Sequence, residues 1–258
     1  MPEITRHEPG AFSWPELATS DPGAAKAFYS GLFGWTSVDA PAGPGMIYTR
    51  LQKGGKDAGA LYQIRPDQKG MPPNWSAYFT VASADDVARR ATEAGGKILM
   101  GPFDVMEHGR MAVIQDPQGA FFSVWQPRGH IGAEIGNEAG APCWAELETS
   151  DTAAAEKFYT AIFPWTTKKG GDYTEWHLQG RGIGGMMQIP PAWGPVPPHW
   201  LVYFMVDDAD AATEQAKKLG GSVMVPPTNI EKVGRFAVLS DPQGANFAVF
   251  RPDPAFRS

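Results

Sequence analysis

The chain predicts an α+β protein built from four βαβββ units, which pair into two domains with cup-shaped mixed sheets. Three observations carry this. The sequence repeats itself: Trp14-Pro15-Glu16-Leu17-Ala18-Thr19-Ser20-Asp21 returns as Trp144-Ala145-Glu146-Leu147-Glu148-Thr149-Ser150-Asp151. The same spacing carries Phe28-Tyr29 onto Phe158-Tyr159 and Phe33-Gly34-Trp35 onto Phe163-Pro164-Trp165. After a short deletion the match resumes for Trp75 with Trp200, Gly95-Gly96 with Gly220-Gly221, and Asp116-Pro117-Gln118-Gly119 with Asp241-Pro242-Gln243-Gly244. A period this long marks a duplicated domain, since solenoid units repeat every ~20–50 residues. Second, each copy reads strand, helix, three strands, and then the same again. Third, 258 residues with 43% hydrophobic composition can fill two cores of ordinary size. The expected division is a first domain over 1–127, a Gly-rich linker over 128–141 and a second domain over 142–258.

Taken in order, residues 14–19 alternate as a strand and stop at Ser20-Asp21-Pro22, where a capping side chain precedes a proline in the first helical turn. Ala25, Phe28, Tyr29, Leu32 and Phe33 follow at spacings of three and four, the single apolar stripe of a helix that Gly34 ends. In the second copy the stripe is Ala155, Phe158, Tyr159, Ile162 and Phe163, and Pro164 is the stop. Strands are expected near 35–39, 46–51 and 59–64. The second unit opens with a β-branched and aromatic strand over 76–81, then a helix over 84–94 capped by Ser83 and stopped by Gly95-Gly96. Strands over 97–105, 109–115 and 121–126 complete it. The last two are joined by Asp116-Pro117-Gln118-Gly119, with Pro and Gly where a type I turn favours them.

The bulk numbers exclude several classes of function. A net charge of −6 without clustered Lys and Arg argues against nucleic acid. The apolar run 201–206 is far short of the ~20 residues that span a bilayer, so no membrane association is expected. Residues 1–9 lack the apolar core of a signal peptide. The single cysteine, Cys143, rules out an internal disulfide and fits a reducing, cytoplasmic setting.

The strand ending in Ser-Asp, the Phe-Tyr helix ending in Phe-Gly-Trp or Phe-Pro-Trp, the Gly-Gly helix stop and the Asp-Pro-Gln-Gly turn together resemble the vicinal oxygen chelate superfamily. That group includes glyoxalase I, extradiol dioxygenases, and fosfomycin- and bleomycin-resistance proteins. The resemblance covers nearly the whole chain, once per copy, and implies sheets curled into cups that hold a ligand, with helices outside. Metal-using relatives draw ligands from the first strand of each half and from the last strand. Carried onto this chain, those places fall at Trp14, Ser76 and Ser123, and at Trp144, Leu201 and Ala248. None is a credible ligand for Zn, Fe, Mn or Ni. A further ligand place implied by the family falls near Gln63 and Gln188, and one amide cannot hold a metal alone. The expectation is no metal and no cofactor.

Strand alternation then selects faces. If Leu17 packs against the helix, Trp14 and Glu16 point into the first cup, and the same parity places Tyr78 and Trp125 there. The second cup receives Trp144, Glu146 with Glu148, Tyr203 and Phe250. These aromatic walls suit a partly apolar small molecule. Glu16 and Glu146 are the candidates for a base or hydrogen-bond partner, because burial beside aromatics raises a carboxyl pKa. His7, His108, His130, His177 and His199 are not duplicated and read as surface or loop residues. Cys143 reads as a packed thiol on the helix-facing side, and Arg110 and Arg235 as structural. Residues 180–185 match G-x-G-x-x-G literally, but a strand follows, which is wrong for a dinucleotide site. The reading is therefore a metal-free small-molecule binder, monomeric or homodimeric. The alternatives are a metal-dependent enzyme of lyase, isomerase or dioxygenase type with non-standard ligands, and an interaction module with vestigial cups.

Overall fold

The computed structural model describes residues 4–43, 45–68 and 70–254; the first three residues of the amino-terminal stretch read above lie outside them. The first copy gives strand β1 (Phe12–Thr19), helix α1 (Pro22–Phe33), strands β2 (Thr36–Gly43), β3 (Met46–Lys53), β4 (Lys56–Gln63) and β5 (Asn74–Thr80), helix α2 (Ala84–Glu93), and strands β6 (Lys97–Val105), β7 (Gly109–Gln115) and β8 (Phe121–Pro127). The second gives β9 (Pro142–Thr149), α3 (Thr152–Ile162), β10 (Thr166–Gly170), β11 (Tyr173–Leu178), β12 (Arg181–Gln188), β13 (His199–Met205), α4 (Ala209–Lys218), β14 (Ser222–Ile230), β15 (Gly234–Ser240) and β16 (Asn246–Pro252). Each copy closes its own eight-stranded sheet, in the orders β2-β3-β4-β1-β5-β8-β7-β6 and β10-β11-β12-β9-β13-β16-β15-β14. Among the described residues the parallel contacts in each are β1 with β4 and β5 with β8, or their counterparts β9 with β12 and β13 with β16. No helix among the described residues is long and apolar enough to cross a membrane.

Local chemistry explains the element ends. The Asp21 and Asp151 carboxylates accept from the Ala24 and Ala154 amides at 3.0 and 2.9 Å, so aspartate caps both Phe-Tyr helices. Gly34, at φ 71°, ends α1 in the left-handed conformation. Two boundaries differ most from expectation. β4 starts at Lys56, because Gly54-Gly55 turn the chain tightly enough for strand pairing to begin at once. β2 continues through Pro41, which an outermost strand tolerates because one of its edges has no ladder to serve.

The helix-covered faces of the two sheets meet back to back in one continuous apolar core. Leu17 and Leu147, Phe79 and Phe204, and all four helices contribute to it, and the cups face away from each other. At its centre the copies exchange a reciprocal hydrogen bond. The Tyr29 hydroxyl of α1 donates to Asp241 Oδ2, and that of Tyr159 in α3 donates to Asp116 Oδ2, both at 3.0 Å. Each hydroxyl also accepts from an indole, Trp75 at 2.8 Å and Trp200 at 3.0 Å. Asp116 and Asp241 belong to the Asp-Pro-Gln-Gly turns, whose amides their other oxygens hold. The turn that closes each sheet is thus tied to the first helix of the other copy. Trp35 and Trp165 repeat the exchange, donating to the Gly140 and Gly10 carbonyls at 3.0 and 2.8 Å.

Because the core is shared, urea unfolding should be a single transition for the whole chain, not one per sheet. Tyr29→Phe strands buried Asp241 and Trp75 groups, so it should cost about 1–3 kcal/mol while leaving the transition single. Two resolved transitions would contradict the shared core.

Candidate functional site

The alternation of β1 sends Trp14 and Glu16 to the face opposite the core, where Glu16 stands between Ala60 of β4 and Ser76 of β5. Two tyrosines collar its carboxylate: Tyr78 donates to Oε1 at 2.6 Å and Tyr48 to Oε2 at 2.7 Å. The Trp14 indole donates to the Tyr48 hydroxyl at 3.1 Å. The second cup repeats the chain atom for atom. Tyr203 and Tyr173 donate to Glu146 Oε1 and Oε2 at 2.8 and 2.7 Å, and Trp144 donates to the Tyr173 hydroxyl at 3.0 Å. In the second copy the fit depends on Gly185, since a Cβ there would fall 1.7 Å from the Tyr173 hydroxyl. Trp125 and Phe250 complete the walls, each lying across a glycine, Gly109 and Gly234. All eight residues chosen from register therefore lie on the cup faces. Tyr48 and Tyr173 were missed, although the spacing that matches Trp75 to Trp200 also matches these two tyrosines.

Burial is the first cause that raises the Glu16 and Glu146 carboxyls, against which their tyrosine donors work; Glu146 is pushed up to about 7. Glu148, also on the cup face, is pushed up to about 7 by burial alone. The neighbouring Tyr48, Tyr78 and Tyr203 hydroxyls are held well above their ordinary range by burial and by the carboxylates they face.

The donor set does not fit a transition metal. The three places at which relatives carry ligands hold an indole and two hydroxyls in one cup, and an indole, Leu201 and Ala248 in the other. Among the described residues no three His, Cys, Asp or Glu side chains converge as a metal site. Gln63 and Gln188 are both exposed, and Gln188 donates to the Ser150 carbonyl.

Four expectations need correction, the first being His177, which stands on β11 with Nε2 2.8 Å from Glu175 Oε2. His130 lies in a loop, as expected, but is not free at the surface: its ring meets Trp14 edge-on with centroids 4.6 Å apart, and its carbonyl accepts from Trp125 at 2.8 Å. Burial depresses it to about 4. His199 opens β13 directly opposite Glu148, with Nε2 3.4 Å from Oε2. Extending the parity of Leu201 and Tyr203 back two residues finds it. Cys143 packs with the second cup and not under the helices, its Sγ 3.5 Å from the Tyr203 carbonyl, because the β9–β13 register shifts beside that residue. The arginines hold helix starts: Arg110 reaches Asp85 at 2.7 Å and Arg235 reaches Asp210 at 2.6 Å.

The cups share a centre but differ at their ends. Segment 130–134 runs along the start of β1, where the Ala133 amide donates to the Ser13 carbonyl at 2.8 Å. Glu134 and Asp57 exchange two bonds, and Arg50 and Gln52 close on the Asp57 carboxylate. Trp14 is consequently only 3% exposed, whereas Trp144 keeps a part-exposed face. In place of Arg50, Gln52 and Asp57 the second copy has Glu175, His177 and Gly182. Two cavities of about 270 and 290 Å³ lie elsewhere, beside Arg251 and Pro254 and between α2 and Pro164, and neither gathers cup residues.

Sequence and fold match known proteins. Residues 11–124 and 143–249 both match the model of the Glyoxalase/Bleomycin resistance protein/Dioxygenase superfamily, and the chain belongs to that family. It is 41% identical over 261 residues to a protein of Mycobacterium bovis (strain ATCC BAA-935 / AF2122/97) named "Putative glyoxylase CFP32", covering 98% of this chain and 99% of that one. It is 40% identical over 264 residues to the anthracycline biosynthesis protein DauV of Streptomyces sp. (strain C5), covering 95% and 94%. Among solved structures, the Mn(II)-bound glyoxalase of Novosphingobium aromaticivorans aligns with a TM-score of 0.68 at 15% identity, over 94% of this chain and 82% of that one. The 2,3-dioxygenase LapB of Pseudomonas sp. KL28 aligns at 0.66 and 11%, over 96% of each. At such identities these two structures speak for the fold.

A carboxyl whose folded pKa is raised stabilises the fold fully below its unfolded pKa and loses that contribution as pH rises through the folded value. Glu148, raised from 4.5 to about 7 when folded, should therefore weigh increasingly against the fold as pH rises between those values and level off above neutrality. Buried histidines have the opposite sign, so the clean readout is the difference between proteins. The melting temperature of Glu148→Gln minus that of the wild type should grow by a few degrees between about pH 5 and pH 8.5. A difference that stays flat would place Glu148 in solvent.

Proposed function

We propose that this protein binds a partly apolar small molecule in its aromatic-lined cups without help from a metal ion. The observation that carries the reading is the duplicated Trp-Tyr-Glu-Tyr chain. It occupies the centre of both cups, and each carboxylate oxygen there already accepts a tyrosine proton. A metal would have to displace those donors and find further ligands where the first cup offers indoles, hydroxyls and aliphatic groups and the second adds Glu148 and His199, with no third such group converging on them among the described residues. An apolar ligand needs neither change: aromatic faces supply contact area, and a few fixed polar groups supply orientation. The name of the Streptomyces relative, an anthracycline biosynthesis protein, is in keeping with a small-molecule role.

The glyoxylase name of the mycobacterial relative, by contrast, favours an enzyme. The feature of this chain that would serve one is a carboxyl poised near neutrality in the second cup, the range in which general acid–base catalysis is efficient. Such chemistry also requires no metal, so one experiment bears on both readings. Elemental analysis of protein purified without chelator should find Zn, Fe, Mn and Ni far below one per chain, and a ligand found by thermal-shift screening should bind unchanged after chelator treatment. Stoichiometric metal, or binding restored only by one metal, would overturn the proposal. Trp144→Ala should weaken such a ligand about tenfold, a loss of roughly 1.4 kcal/mol from a stacking face, with an unchanged circular dichroism spectrum. Unchanged affinity would remove Trp144 from the site.

A further inference from the structure

The second cup holds a pair of side chains that the first lacks. Glu148 and His199 stand directly opposite each other on β9 and β13; the equivalent pair on β1 and β5 is Ala18 and Asn74. Glu148 is 5% exposed, and no hydrogen bond from the described residues reaches its oxygens; His199 Nε2 lies 3.4 Å from Oε2. Glu146, one turn of the pleat away, has both oxygens collared by tyrosines. A buried carboxylate without donors is costly and uncommon in a folded protein.

The histidine does not relieve that cost on its own. His199 Nδ1 lies 2.9 Å from the Pro197 carbonyl, which can only accept, so Nδ1 carries the proton and the neutral ring presents a lone pair at Nε2. Burial disfavours the second ring proton. Above about pH 7, where Glu148 is ionised, it and the neutral His199 are two acceptors facing each other with no donor between them among the described residues. The imidazole remains about one-third exposed, so the pair can be approached from solvent along the cup.

We infer that Glu148 and His199 form a subsite for a protonated amine, which gives one N–H to Glu148 Oε2 and another to His199 Nε2 while its apolar body lies in the second cup. An ammonium carries enough donors to satisfy both acceptors at once and supplies the positive charge that the buried carboxylate lacks. A neutral hydroxyl has one proton and serves only one of them. The first cup has Ala18 in place of the carboxylate, and its Asn74 Oδ1 already accepts from the Ser76 hydroxyl, so the amine should be taken up once per chain. The inference rests on the small-molecule reading above and adds the ligand's charge and the cup that holds it.

The test uses two probes that share one flat ring system, 9-aminoacridine, protonated near neutral pH, and acridine, uncharged at pH 8. Binding of each to the full chain is measured by calorimetry at that pH. The wild type should bind one 9-aminoacridine per chain, at least about tenfold more tightly than acridine, the loss expected when a buried charge pair is replaced by a neutral contact. The double variant Glu148→Gln/His199→Asn, whose second residue copies the first cup, should bind both probes alike, with acridine affinity unchanged. Preference for the amine that survives in this variant, or two amine molecules per chain, would overturn the inference and leave small-molecule binding standing. Failure of either probe to bind any form of the protein would overturn both. A variant that does not fold is replaced by Glu148→Gln alone, which keeps the size of the side chain and must abolish the preference if the inference is right.

Discussion

The reciprocal contact between the two copies sets the architecture. Tyr29 and Tyr159 each sit in the first helix of one copy and donate to the sheet-closing turn of the other. Around them the aromatic side chains of both copies pack edge to face, with Phe79 against Trp200 at 4.9 Å and Trp75 against Phe204 at 5.1 Å. Such contacts add to the burial of area that already drives the sheets together. Once the helix-covered faces are joined, the concave faces can only point outward. Two cups on opposite sides of one core follow from this packing.

The same packing helps to explain why a duplicated sequence gives unequal cups. The segment that leaves β8 has to cross to the other sheet, and on its way it passes the end of the first cup. There it buries Trp14 under His130 and fills the gap between β1 and β4 with Ala133 and Glu134. Arg50, Gln52 and Asp57 anchor it. The matching positions of the second copy are Glu175, His177 and Gly182, where no linker of this kind is held among the described residues, and Trp144 keeps an exposed face. Duplication supplied two identical centres, and the need to connect them covered the end of one.

The fold was legible because each signal was local and occurred twice. The aspartate caps, the Phe-Tyr stripe, the glycine stops and the strand alternation all act within a few residues, and the cup-facing side followed from the position of Leu17 alone. What escaped depended on distant partners or on small departures from ideal strands. Tyr48 and Tyr173 lie on strands whose facing could not be anchored to a helix contact, although the repeat already paired them. His130 and His199 have no counterparts in the other copy, and a search for duplicated chemistry passes over them. Cys143 was assigned by alternation carried through a bulge, where the two-residue alternation of a strand breaks.

The asymmetry of the cups is the claim on which the functional account turns, and the exposure of two equivalent indoles measures it without any ligand. Protein labelled with 5-fluorotryptophan, with the Trp14 and Trp144 resonances assigned by substitution to phenylalanine, can be titrated with a soluble paramagnetic agent and followed by fluorine NMR. The account predicts that Trp144 broadens while Trp14, held beneath His130, does not. Equal broadening of the two would contradict it.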